Sequence, residues 1–221
     1  MRLNTLKAIF KTAARGAAVL LFGIGMAQAQ NSVNLTAGPA NAILPDGSSI
    51  PMWGYTCGAV VSTATATCAS LNPNANGAWS PVVLTVPVTA GTTGSLTINL
   101  TNNLPAPVPT SLTIVGQLGG GLGGTPTRTA AAVHDNQPAT WNTANTPGAV
   151  FTPPAQNGRV QSFGTEVPPT PAGTTATPVA LTWGALRPGT YLLESGTHPS
   201  IQGPMGLYGI CLLYTSPSPR D

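Results

Sequence analysis

An all-β sandwich with long Gly/Pro/Thr-rich loops is the fold this sequence predicts. Three observations lead there. Gly (26) and Pro (23) make up 49 of the 221 residues, and both residues break helix interiors. Charged residues are only 6%, so a charge-swollen disordered chain is excluded. The best-ordered apolar stretches alternate with polar residues at period two, the signature of a half-buried strand.

The strands follow in order. Val33, Leu35 and Ala37 alternate with polar or small residues. Pro45-Asp46-Gly47 is a turn: proline presets φ and glycine accepts a positive one. Ile50–Tyr55 is a short apolar run, and the loop 72–77 (NPNANG) follows it. Val82, Leu84, Val86 and Val88 share one face, and Pro87 predicts an edge or a bulge. Ser95–Thr101 is the cleanest strand: Leu96, Ile98 and Leu100 fall on one side, Thr97, Asn99 and Thr101 on the other. That pattern fits an antiparallel, half-buried strand. Leu112–Val115 follows a Pro-rich loop at 105–109. The stretch 117–177 is loop-dominated, with short strands expected near Val133 and over Arg159–Phe163. Its Gly119–Gly124 run (GGGLGG) lacks the Lys-Ser/Thr of a phosphate loop and predicts a mobile surface loop. Strands return at Val179–Trp183, Gly189–Leu193 and Leu207–Ile210.

Both ends are expected to lie outside the fold. Residues 1–29 have the plan of a secretory signal: basic to Arg15, an apolar run of eleven residues over Gly16–Met26, then Ala27-Gln28-Ala29. Eleven residues fall short of the ~20 of a spanning helix. A periplasmic or secreted chain starting near Gln30, with no membrane span after cleavage, is therefore expected. The segment 211–221 (CLLYTSPSPRD) matches, residue for residue, one reading frame of a transposase adapter used in DNA library preparation. It is expected to be artefactual, with the natural reading frame interrupted at about Ile210.

Removing the ends changes the electrostatics. The formal charge of +3 comes from the termini. Between Asn31 and Ile210, Arg128, Arg159 and Arg187 stand against Asp46, Asp135, Glu166 and Glu194, three against four, leaving −1. Nucleic-acid binding needs a clustered basic patch and is excluded. The cysteines reduce to Cys57 and Cys68. An even pair in an exported chain favours a disulfide. A metal site there would need further ligands, and local sequence offers none.

Two segments carry a family resemblance. Leu100–Gln117 (LTNNLPAPVPTSLTIVGQ) and Trp183–Ile210 (WGALRPGTYLLESGTHPSIQGPMGLYGI) resemble the first domain of multicopper oxidases. That family has a Thr-Ser-Ile-His-Trp-His-Gly segment in the first place. In the second it has Pro-Gly-Thr-Tyr-Trp-Tyr-His-Ser-His followed by a Gly-Leu-x-Gly strand. The resemblance implies a cupredoxin-like Greek-key β-sandwich over 30–210. It also implies copper and oxidoreductase chemistry in a parent protein, with downstream cupredoxin domains of the same parent chain as partners. The two His-x-His pairs of the family fall here on Thr113 and Val115, and on Glu194 and Gly196. All four imidazoles are missing, and copper prefers imidazole nitrogen. No copper is therefore expected in this fragment, which reads as a structural or docking domain with no catalytic residue.

The other candidates are weaker. His198 is a displaced-ligand candidate, paired with Glu194, against a plain loop histidine. His134 with Asp135 reads as a solvated loop. Ser195, His198 and Glu194 lack the Gly-x-Ser-x-Gly elbow of a hydrolase. Trp53, Trp79, Trp141 and Trp183 are too scattered for a sugar-stacking platform. The competing function class is a non-enzymatic exported β-sandwich for adhesion, surface assembly or glycan binding.

Overall fold

The computed structural model describes residues 31–62, 64–88, 94–130, 137–138, 150–151 and 159–215. The segment 1–29, Val133, His134, Asp135, Trp141 and 216–221 lie outside them. The compact unit is built from β1 (Ser32–Ile43), β2 (Ser49–Cys57), β3 (Thr67–Ser70), β4 (Val82–Val88), β5 (Gly94–Asn102) and β6 (Thr113–Ile114). It continues with β7 (Thr127–Thr129), β8 (Gln137–Pro138), β9 (Val150–Phe151), β10 (Arg159–Ser162), β11 (Val179–Leu186) and β12 (Gly189–Glu194). A one-turn helix α1 (Pro199–Gln202) and β13 (Tyr208–Thr215) complete it. No helix among the described residues is long and apolar enough to cross a membrane.

Two sheets form the sandwich. One has the order β11-β5-β1-β2, the other β3-β4-β13-β12-β6, with β7–β10 and β8–β9 as small separate ladders. The chain switches sheets between β2 and β3, β4 and β5, β5 and β6, and β11 and β12. At those switches consecutive strands lie in opposite sheets, whereas β1–β2, β3–β4 and β12–β13 pair side by side. The alternation dictates that core: Val33, Leu35 and Ala37 of β1, Leu84 and Val86 of β4, and Leu96, Ile98 and Leu100 of β5 are all buried. Leu112, Ile114, Leu181, Trp183 and Leu193 join them. Each fully buried aliphatic side chain contributes about 1.5–3 kcal/mol relative to exposure.

Several expectations need correcting. β5 is antiparallel to β11 but parallel to β1. The chain visits the other sheet between β1 and β5 and returns in the same direction, as parallel pairing requires. β4 lies inside its sheet despite Pro87. β3, however, stops opposite Thr85, so Pro87 has only β13 beside it. The proline thus sits at a local edge within a central strand. The strand expected over Leu112–Val115 shrinks to two residues, because Gly116 turns the chain at φ +87° and Gln117 N donates to the Ile114 carbonyl. β13 continues past Ile210 to Thr215, placing Cys211 and Leu213 in the core. The residues CLLYT extend the alternation begun at Tyr208, which is why the ladder accepts them. Burial pushes the Cys211 thiol up to about 12.

The GGGLGG run is a surface loop only in part: Gly121, Gly123 and Gly124 are exposed, but Gly119 and Gly120 lie against the fully buried Trp183 indole. A side chain on Gly119 would begin 2.4 Å from Trp183 Cδ1, and one on Gly120 2.5 Å from Cζ2. Gly120 N donates to the Thr182 carbonyl at 2.9 Å, tying the loop to the edge of β11. Glycine is required here for close approach and for positive φ together. Gly47, by contrast, has positive φ but nothing near its missing side chain. Gly120→Ala is therefore expected to cost about 2 kcal/mol or more, through overpacking and backbone strain. Gly47→Ala should cost about half that, from backbone strain alone. Urea unfolding curves of the two variants check the difference, and equal losses would refute the packing role of the loop.

Candidate functional site

Thr113, Val115, Glu194 and Gly196, the candidate positions singled out in the sequence, meet in space. β6 pairs with β12, setting Thr113 opposite Glu194 and Ile114 opposite Leu193. Thr113 Oγ1 donates to the Glu194 carbonyl at 3.1 Å. Val115 N continues the contact by donating to the Leu192 carbonyl at 2.9 Å. Thr113, Val115, Glu194 and Gly196 then line one surface pocket of about 240 Å³, with Leu122 and Phe163 as further walls. A hollow of about 320 Å³ lies elsewhere, between β2 and the 72–80 loop, and carries no charged side chain.

The pocket's floor leaves no room for a side chain at 196. A side chain added at Gly196 would start 2.7 Å from the Thr113 methyl and 3.0 Å from Ser111 Oγ. Thr113 fills the volume that a residue 196 side chain needs. These residues do not fit a copper centre: threonine, valine and glycine present no imidazole, and Glu194 is one carboxylate. Among the described residues, no group of three His, Cys, Asp or Glu is placed to hold a metal ion.

Behind the pocket lies a buried hydroxyl network. Ser195 Oγ and Thr110 Oγ1 both donate to Gln202 Oε1, at 2.6 and 2.8 Å, and stand 3.2 Å apart. Gln202 Nε2 donates to the Pro109 carbonyl at 2.8 Å. A second ring joins Ser111, Ser162 and Thr197, whose hydroxyl oxygens are 3.0–3.1 Å from one another. Thr197 N donates to Ser195 Oγ and links the two rings. All six side chains are buried. Each bond contributes about 1 kcal/mol net, but a member left without its partner costs about 1–3 kcal/mol.

Local sequence builds this arrangement through His198. Its φ is +40°, a left-handed conformation uncommon outside glycine, and Pro199 starts α1 directly after it. The reversal lets Phe163 N donate to the Gly196 carbonyl and His198 N to the Gln161 carbonyl. It also sends Gln202 inward. His198 itself is exposed and does not line the pocket beside Glu194. Ser195 Oγ bonds to Gln202, Thr110 and Thr197, not to His198, so no nucleophile–base pair forms. Cys57 and Cys68 form a disulfide with Cα atoms 5.7 Å apart. Trp183 is core, and Trp79 packs edge-on against Tyr208 at 5.2 Å. Sequence reasoning missed the hydroxyl network, since short Ser and Thr side chains look alike on a surface and in a core.

Tyr55 closes the network from β2, its OH donating to the Ser111 carbonyl at 3.3 Å. Burial pushes its phenol well above the ordinary 10.0; the nearby Thr110 and Ser195 hydroxyls pull it back, and the Glu194 charge raises it further.

No family model and no curated protein matches this chain. Among solved structures it is similar to a multi-copper oxidase from Pseudomonas thermotolerans, with 16% identity and a TM-score of 0.45. That likeness covers 86% of this chain and 31% of the other. A laccase from Pediococcus acidilactici gives 14% and 0.42, over 87% of this chain and 28% of that one. A metallo-oxidase from Campylobacter jejuni gives 13% and 0.40, over 88% and 28%. The chain thus spans about a third of the length of these structures.

Two outcomes follow from the site. Gly196→Ala should destabilise the domain by about 1–3 kcal/mol, and adding Thr113→Ser, which removes only the methyl, should recover most of it. A double-mutant cycle showing no coupling would contradict the close approach. The second concerns alkali. The unfolded Tyr55 phenol ionises near 10, while the folded one stays protonated, so its stabilisation is present below pH 10 and lost as pH rises beyond it. At neutral pH, Tyr55→Phe should cost about 1 kcal/mol for the lost hydrogen bond. The gap between the two proteins should narrow from pH 9 to 11, and a gap independent of pH would refute the assignment.

Proposed function

We propose that the chain is a ligand-free cupredoxin-like domain of a larger, exported, copper-oxidase-like protein, and that it serves docking and structure. The observation that carries this reading is the convergence of Thr113, Val115, Glu194 and Gly196 on one pocket. The resemblance implies imidazoles at these positions; the four residues present line one pocket and offer no copper ligand set. The Thr113 methyl occupies the room a ligand at 196 would need, so the substitution at one position fits that at another.

Any oxidation of substrate with reduction of oxygen then belongs to downstream domains of the parent, which would carry intact His-x-His pairs and a His-flanked cysteine. The residues present here supply scaffold and surface. The buried hydroxyl rings hold β6, β12 and the 195–202 segment in fixed relation, which is what a docking face requires.

Metal analysis tests the reading directly. The purified chain, dialysed against copper and then against buffer, should retain far less than one copper per molecule. One tightly bound copper, lost on His198→Ala, would overturn it. A longer read of the gene past the codon for Ile210 tests the parent: ligand-free β repeats or an early stop there would remove the oxidase context.

A further inference from the structure

We propose that the pocket between β6 and β12 seats an arginine side chain presented by a partner polypeptide, with Glu194 as its counter-ion. The inference rests on the docking reading above and names the chemistry of the docked surface.

Glu194 is the one charged side chain among the pocket's lining residues. Among the described residues, nothing donates to its carboxylate oxygens and no cation stands within ion-pair distance; the bond from Thr113 goes to its main-chain carbonyl. Arg187, the cation near the rim, is turned to the Gly116 carbonyl at 3.0 Å. The walls are apolar: Val115, Leu122, Phe163 and Pro199. A half-buried carboxylate lining a pocket with apolar walls matches a cation carried on an aliphatic stem. The stem covers the walls and the head meets the charge.

The choice among cations follows from ligand number and shape. A metal ion wants three or four donors, and no such group exists among the described residues. A guanidinium needs a single carboxylate, which it engages with two parallel hydrogen bonds. Its flat face also stacks on an aromatic ring, and Phe163 offers one that is 48% exposed. The source is a polypeptide because the exposed apolar surface extends past the pocket. Val115 is 44% exposed and Leu118 76%. A small free cation would leave these uncovered, whereas a docked surface buries them around the anchored arginine.

The test compares two peptides on the full chain at fixed salt, acetyl-Gly-Arg-Gly-amide and its citrulline counterpart. Citrulline keeps the shape and removes the charge. Nuclear magnetic resonance titration should show saturable millimolar binding of the arginine peptide, with shifts concentrated at residues 113–116 and 194–196. The citrulline peptide should bind about tenfold more weakly. Glu194→Gln should lower the arginine peptide to the citrulline level while leaving the thermal midpoint within a few degrees. Phe163→Ala, at an exposed position, should weaken arginine binding several-fold and provides a second, fold-neutral variant. Equal binding of the two peptides, unchanged binding by Glu194→Gln, or no saturation up to about 50 mM would each overturn the proposal. Copper uptake by the chain would instead defeat the ligand-free reading and would leave the arginine–citrulline difference standing.

Discussion

The approach of Gly196 to Thr113 is the contact on which the site depends. β6 has only two residues, so it cannot hold its place at the sheet edge by ladder bonds alone. It is fixed by Thr113 bonding to the Glu194 carbonyl and by its methyl fitting against a residue that has no side chain. With that contact made, Ser111 points inward to meet Ser162 and Thr197, and Glu194 is left facing the pocket. A larger residue at 196 would push β6 outward and open the hydroxyl ring behind it. The pocket and the polar core are therefore one structure seen from two sides.

Buried polar networks are high-stakes, because a low local dielectric strengthens satisfied bonds and penalises missing ones. Here the two rings span four separate stretches of chain: 110–111, 162, 195–197 and 202. They specify one arrangement of those stretches, where an apolar filling would tolerate several. The disulfide plays a comparable part at another edge. Cys57 ends β2, the edge of one sheet, and Cys68 lies in β3, the edge of the other. By closing a short loop it contributes roughly 2–3 kcal/mol and ties the two open edges together.

Much of the fold was legible because period-two alternation maps directly onto inward and outward faces. Leu96, Ile98 and Leu100, and likewise Val82, Leu84, Val86 and Val88, lie inside as their spacing demands. Other features were not legible. GGGLGG carries no local sign that it packs on Trp183, since the indole is about sixty positions away in sequence. Pro87 predicts an edge strand or a bulge, yet β4 is interior; only the length of β3 shows that its ladder stops short of the proline. Ser195 and His198 are close in sequence, yet the left-handed turn at His198 carries its ring to the surface while Ser195 stays buried.

The sequence by itself determined the all-β class, the strand faces and the pairing partners available to the cysteines. Each of these depends on residue type or on spacing within one segment, which the chain carries with it. Tertiary structure alone decided that Thr113, Val115, Glu194 and Gly196 share one pocket. It also decided that six hydroxyl and amide side chains satisfy one another behind that pocket, and that Gly119 and Gly120 pack on the core indole of Trp183. Those outcomes depend on atoms brought within about 3 Å of each other from distant segments. No local rule encodes such distances; the closure of the two sheets sets them.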